Sequence, residues 1–299
     1  MMMNIEPFIT CAINGSGATE EKHPNIPATP KEIADNVAAA VRAGAAICHI
    51  HARDQKTKKG IRGQEFYPQI IDEIKKHKID VVLNFTSGMG GDIYFGSVED
   101  PVPLSNMTDM VGPSERLKHV KQCLPEITTL DCGSLNFGDA HYITCHTPPM
   151  LRQMATILQK LNVKPELEIF DTGNLWLAKN MINEGIIDSP AMIQLCMGIP
   201  YGAPADITTM MAMVHQLPEN SIWSGFAIAR NQMPWVALTA LAGGNVRVGL
   251  EDNIYLAKGQ FASNEELVKR AKLLLETIGA KPMGPQAVRD KLKLKKQWG

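Results

Sequence analysis

Residues 30–54 read PKEIADNVAAAVRAGAAICHIHARD. The first half has helical character and the second half strand character. Pro30–Ala43 is amphipathic, and Thr29 stands as a cap before a proline at the first helical position. Ala45–Arg53 is a short strand-like run that ends in HIHAR, just before Asp54. The same alternation extends in both directions. Strand-like runs fall at Phe8–Asn14, Ala45–Arg53, Asp80–Thr86, Thr128–Gly133, Pro165–Asp171, Met192–Gly198, Ile222–Ala229 and Asn245–Asp252. Amphipathic stretches separate them at Pro30–Ala43, Glu65–His77, Pro148–Leu161, Asn174–Glu184 and Pro204–Gln216. Ser263-Asn264-Glu265-Glu266 starts a further helix that runs to Ile278. Strand–helix alternation predicts parallel βαβ units. About eight units in roughly 250 residues predict a closed (β/α)8 TIM barrel, with residues 1–299 as one domain. A doubly wound open sheet is the alternative. Ser87–Ser114 reads as one long irregular loop, and the basic tail after Pro285 as frayed or interface-bound.

Composition narrows the class of function. Hydrophobic residues make up 44% of the 299, enough for a large core, and the net charge of -1 offers no basis for nucleic-acid or anionic-membrane binding. No apolar run reaches 18 residues, so no membrane span is expected. MMMNIEPFITC lacks a basic region followed by an apolar stretch, and no export signal is expected there. The six cysteines, Cys11, Cys48, Cys123, Cys132, Cys145 and Cys196, form no CxxC pair. They read as reduced core thiols of a cytoplasmic protein.

The chemistry-bearing residues gather at strand ends. Positions i and i+2 of a strand share a face, so His49 and His51 project together while Cys48 and Ile50 face the apolar layer. In GNVRVGLED (residues 244–252), Val246, Val248 and Leu250 take the outer face. Arg247, Gly249 and Glu251 take the inner one. An inward carboxylate asks for a cation, and an inward Arg asks for an anion. His49, His51 and Glu251 therefore form a candidate zinc site with an open position, as catalytic zinc requires. An internal Arg247–Glu251 salt bridge is the alternative. Glu166 and Glu168 face inward from the fifth strand, with Glu168 nearer its C-terminal end. Asn84 and Thr86 do so from the third strand, leading into Ser87 and Gly88. Thr129 and Asp131 do so from the fourth. Polar groups thus converge on one end of the barrel, where barrel active sites lie. A metal-dependent hydrolase of the amidohydrolase type is a rival. Those barrels place HxH on the first strand, whereas here it is on the second.

The segments ITCAINGSG, PNIPATPKEIADNVAAAVRAGAAICHIHARD, NFTSG, TLDCGSLNFGD, PELEIFDTG, MGIPYGAPAD and GGNVRVGLEDN together resemble the β-keto acid cleavage enzyme family. The resemblance covers nearly the whole chain. It implies a zinc-dependent (β/α)8 barrel that transfers an acyl unit between a β-keto acid and acetyl-CoA. By residue, it implies one zinc on His49, His51 and Glu251, and catalytic roles for Asp252, Arg247 and Glu168. Asn14, Thr86, Ser87, Gly88, Thr129 and Asp131 are the substrate-binding candidates. Thr86 and Thr129 correspond to hydroxyl residues that hold the substrate carboxylate. A homotetramer is also implied.

Members that act in lysine fermentation carry Ser where this chain has Thr86. They carry an ammonium-binding Glu where it has Gly17. A trimethylammonium group has no N–H to donate and prefers aromatic faces. Tyr94, Phe95, Phe170, Trp176 and Tyr201 lie in or beside rim segments. They would supply such faces, and the Ser87–Ser114 loop with its GPSERL continuation, DTGNLW and IPYGAPAD resemble the carnitine-degrading branch of the family, which implies 3-dehydrocarnitine as substrate, cleaved to acetoacetate and betainyl-CoA. Another β-keto acid, such as 3-keto-5-aminohexanoate or a neutral analogue, is the alternative.

Overall fold

In a computed structural model describing residues 2–298, eight parallel strands close into a barrel. In chain order they are Ile9–Ala12, Ile47–Ile50, Val82–Phe85, Ile127–Asp131, Lys164–Ile169, Met192–Met197, Ile222–Ala227 and Asn245–Val248. Each strand pairs with its neighbours in this order, and the last pairs with the first through Ile9 opposite Val246. This is the expected (β/α)8 architecture, and it excludes the open sheet.

The helices form where the apolar stripes are. Pro30–Ala43 is capped as its sequence predicts: the Thr29 hydroxyl accepts from the Glu32 amide, and Glu32 reaches back to the Thr29 amide. Ser263 and Glu266 repeat the device at the helix Asn264–Thr277. Helical side chains such as Ile33, Val37, Ile70 and Val268 pack against outward strand residues including Cys48, Ile50, Val246 and Val248. The far side is built alike, with Leu167 and Ile169 against Leu151 and Met154. All six cysteines are free; five are buried and Cys145 is half-buried. No helix among the described residues is long and apolar enough to cross a membrane.

Two segments differ from the sequence reading. Ser87–Ser114 is not one irregular loop. It contributes Gly91–Tyr94 and Asp109–Met110 to a four-stranded antiparallel sheet completed by Leu135–Asn136 and Tyr142–Thr144. The pairing partners lie on opposite sides of the fourth barrel strand, so local periodicity does not reveal them. The tail after Pro285 is not frayed either. Pro285–Leu292 is a helix whose Val288 and Leu292 pack on Phe8, Ile47, Val82 and Ile127 at the strands' N-terminal ends. Beneath it, the wholly buried Glu126 accepts from Arg289 Nε at 2.5 Å, Trp298 Nε1 at 2.6 Å and the Leu83 amide at 3.0 Å.

Candidate active site

The opposite end of the barrel, where the strands terminate, holds a cavity of about 590 Å³. His49 and His51 reach it from the second strand, and Arg247, Glu251 and Asp252 from the eighth. Both strands stop sooner than the alternation predicts, at Ile50 and Val248. Gly249 explains the second stop. Its φ of +138° lies outside the range other residues adopt readily, and a Cβ there would collide with the Ala12 carbonyl. The backbone turns at that point and carries Glu251 across to the histidines. Gly15 leaves room for this, because a Cβ at Gly15 would meet Glu251 Cγ at 2.5 Å.

The three side chains converge. His49 Nε2 and His51 Nε2 lie 3.0 Å apart, and each lies 3.5 Å from a Glu251 oxygen. Metal–ligand bonds of about 2.0–2.2 Å in a tetrahedron place ligand atoms roughly 3.3–3.5 Å from one another. The observed triangle is close to that spacing. Glu251 Oε2 is buried without a hydrogen-bond partner, as a carboxylate oxygen awaiting a cation would be. Burial pushes the His49 pKa down to about 3, which keeps the imidazole in its neutral, ligating form. The residues present therefore fit a metal ion.

Arg247 organises the carboxylates. Its Nε and Nη2 donate to the two oxygens of Asp252, both at 2.9 Å, in a bidentate fork. Nη1 donates to Glu168 at 2.9 Å, and Nη2 also lies 3.0 Å from Glu251. Ligand geometry and the Arg247–Glu251 salt bridge thus coexist at Glu251. The guanidinium carbon sits 4.2 Å from the centroid of the Phe226 ring. Burial raises Glu168 well above the usual carboxylate range, with Arg247 opposing. For Glu251, burial also acts upward, but Arg247 and the two imidazoles outweigh it and hold the group well below that range. Burial lifts Asp252 to about 6 despite the fork from Arg247. An arginine beside a carboxylate would by itself lower its pKa, but at Asp252 desolvation wins.

The other expected residues divide into two groups. Thr86, Gly88 and Asp131 line the cavity. Asn14, Ser87 and Thr129 lie behind its wall. Asn14 accepts from the His51 amide and donates to the Pro27 and His51 carbonyls. The Ser87 hydroxyl donates to the Thr129 carbonyl, and Thr129 Oγ1 accepts from the Ser87 amide. Glu166 lies under the site, fully buried, accepting from Asn84 at 2.6 Å, with its pKa raised to about 7 by burial.

Of the five aromatics, Tyr94 and Phe170 line the cavity. Phe95 packs beside His141 because strand alternation turns it away from Tyr94. Trp176 is 71% exposed, and Tyr201, on a positive-φ turn, is 65% exposed. Phe137, Tyr142 and Phe226 line the cavity instead. Sequence reasoning also missed Asp92, which lies there too, and Arg53. Arg53 is 1% exposed and donates to the carbonyls of Asn14, Gly15, Gly17 and Lys58 and to Glu20. It pins the loop that forms one cavity wall. Its place two residues after His51 was the available signal.

The family model described as beta-keto acid cleavage enzyme matches residues 7–294. The chain belongs to the β-keto acid cleavage enzyme family. A 3-dehydrocarnitine:acetyl-CoA trimethylamine transferase from Rhizobium meliloti is 52% identical over 298 residues, covering 99% of both chains. A 3-keto-5-aminohexanoate cleavage enzyme from Fusobacterium nucleatum is 35% identical over 290 residues, covering 97% of this chain and 98% of the other. Among solved structures, the ternary complex of ObcA with C4-CoA adduct and oxalate superposes with a TM-score of 0.77. It covers 91% of this chain and 68% of that one at 19% identity, a likeness of fold. This β-keto acid cleavage enzyme thus sets two imidazoles and three carboxylates around one guanidinium at the strand ends of its barrel.

Proposed function

We propose that this enzyme binds one zinc ion on His49, His51 and Glu251 and cleaves 3-dehydrocarnitine with acetyl-CoA as co-substrate. The products would be acetoacetate and betainyl-CoA. The observation that carries the metal assignment is the three-residue group, whose ligand atoms all lie within 4.8 Å of one another. Charge supports it: the single guanidinium faces Glu168, Glu251 and Asp252, a formal -2 that a divalent cation would neutralise. The acyl donor and the onium substrate follow the name of the 52% identical relative. The family resemblance extends the reading to a homotetramer working in the cytoplasm.

In the reaction, the C2–C3 bond of the β-keto acid breaks and C2 bonds to the acetyl carbonyl carbon. The CoA thiolate takes the released acyl group, so electrons balance without an oxidant. Zinc bound at the site would supply Lewis acidity to the keto oxygen. Asp252 is the proton acceptor in this reading. Arg247 fixes both of its oxygens, and burial keeps its pKa nearer neutrality than a free carboxylate's. Glu168 is held by the same guanidinium on the opposite side and orients it. Thr86 and the Gly88 backbone face the cavity where the substrate carboxylate would lie.

The test is a comparison of kcat/KM for 3-dehydrocarnitine, 3-keto-5-aminohexanoate and 3-oxoadipate. We expect the first to lead by at least about tenfold, roughly 1.4 kcal/mol in transition-state binding. A lead of that size for either of the others would overturn the substrate assignment and leave the cleavage chemistry in place.

A further inference from the structure

The four-stranded sheet inserted around the fourth barrel strand has one face on the cavity. In its central pair, Asp92 lies opposite Thr144 and Tyr94 opposite Tyr142. All four side chains line the cavity, while the intervening Ile93 and Ile143 do not. The Tyr94 and Tyr142 rings are stacked, with centroids 4.6 Å apart and planes within 14°. The Thr144 hydroxyl donates to one Asp92 oxygen at 2.7 Å. Asp131 reaches the same cavity from the end of the fourth strand. Behind Asp131, Arg116 Nη2 donates to His146 Nδ1 at 2.9 Å. A neutral imidazole then carries its proton on Nε2, which faces Asp131 at 3.4 Å. That buried Nε2 has no hydrogen-bond partner.

Elimination singles out this face. Among the cavity's carboxylates, Glu168, Glu251 and Asp252 are bound to Arg247, and Glu20 is bound to Arg53. Glu21 is exposed at the mouth. Asp92 and Asp131 remain, neither paired with Lys or Arg, beside two stacked phenol rings. The cavity wall at Gly17 has no side chain, and a Cβ there would meet nothing within 4 Å. Burial, Asp109 and Asp131 all raise the Asp92 pKa, the electrostatic cost that a bound cation would relieve.

We propose that this sheet face, Asp92 with Tyr94, Tyr142 and Thr144 and with Asp131 alongside, is the subsite for a quaternary ammonium group and sets the enzyme's preference for cationic β-keto acids. The aromatic rings would offer their negative faces, and Asp92 would supply a charge that does not depend on an N–H donor. The keto acid end then points to Arg247 and the histidines. The subsite rests on the reading that the substrate carries a trimethylammonium group, and the experiment separates the two.

The experiment compares 3-dehydrocarnitine with its carbon isostere 5,5-dimethyl-3-oxohexanoate, which has the same shape and lacks only the positive charge. The readout is the ratio of their kcat/KM values. Wild type should favour the onium substrate by about tenfold or more, and Asp92→Asn and Tyr142→Leu should each lower that ratio about tenfold. A wild-type ratio near one overturns the onium-substrate reading itself. A high wild-type ratio that both variants preserve overturns the subsite alone. A variant that merely loosens the fold slows both substrates equally and leaves the ratio unmoved, so that outcome also counts against the subsite.

Discussion

At the residue scale, the His49, His51 and Glu251 cluster proposed to hold the metal was the most legible part of the site. Alternation placed His49 and His51, two apart, on one face and picked out Glu251 beyond an inward Arg247, although the turn at Gly249, after the strand has ended, is what carries Glu251 to the histidines. His51→Ala should leave the protein folded and abolish zinc binding, measured as metal per chain after dialysis. Retention of about one zinc would remove His51 from the ligand set. Asp252→Asn should keep the metal and lose turnover by about 10²–10⁴-fold, the usual contribution of a positioned acid or base. Near-normal turnover would reduce Asp252 to an anchor for Arg247. What alternation did not reveal was the balance of forces at Asp252. Its depth in the cavity, which sets its pKa near 6, is a property of the assembled barrel and not of the sequence around it. Arg53 was hidden for a related reason. Most of its partners are backbone carbonyls, which carry no sequence signature, and its charged partner Glu20 lies 33 residues away.

At the scale of elements, the eight barrel strands and most of the helices between them were readable by local period and by caps such as Thr29–Glu32, but the helices Lys118–Cys123 and Gln232–Leu241, before the fourth and eighth strands, went unnamed. The insert sheet and the terminal helix were not. Gly91–Tyr94 pairs with Tyr142–Thr144 some fifty residues later, and no local pattern encodes that meeting. The tail looked frayed because lysines dominate its composition, yet its Arg289 and Trp298 both serve the buried Glu126. Arg289→Met would leave that carboxylate short of its charged partner. We expect a stability loss of about 3–5 kcal/mol in chemical denaturation, the range for a broken buried ion pair. A loss below about 1 kcal/mol would show that Trp298 and the Leu83 amide satisfy Glu126 unaided.

At the scale of the whole molecule, the barrel separates stability from chemistry. Glu126, Arg289 and the terminal helix close the N-terminal end, while the C-terminal end gathers groups that would be costly without a cation and a substrate. The insert sheet adds a wall bearing stacked tyrosines and Asp92, and under the proposed subsite it would place recognition on one element and bond breaking on others. Relatives named for different β-keto acids match this chain over at least 96% of its length. The central claim is acyl exchange between the keto acid and acetyl-CoA. Its most direct test follows carbon from acetyl-CoA labelled in the acetyl group, incubated with 3-dehydrocarnitine and the zinc-loaded enzyme. The account predicts that all label appears in acetoacetate, with unlabelled betainyl-CoA formed in equal amount and no cleavage when acetyl-CoA is left out. Cleavage without acetyl-CoA, or label in the new acyl-CoA, would contradict it.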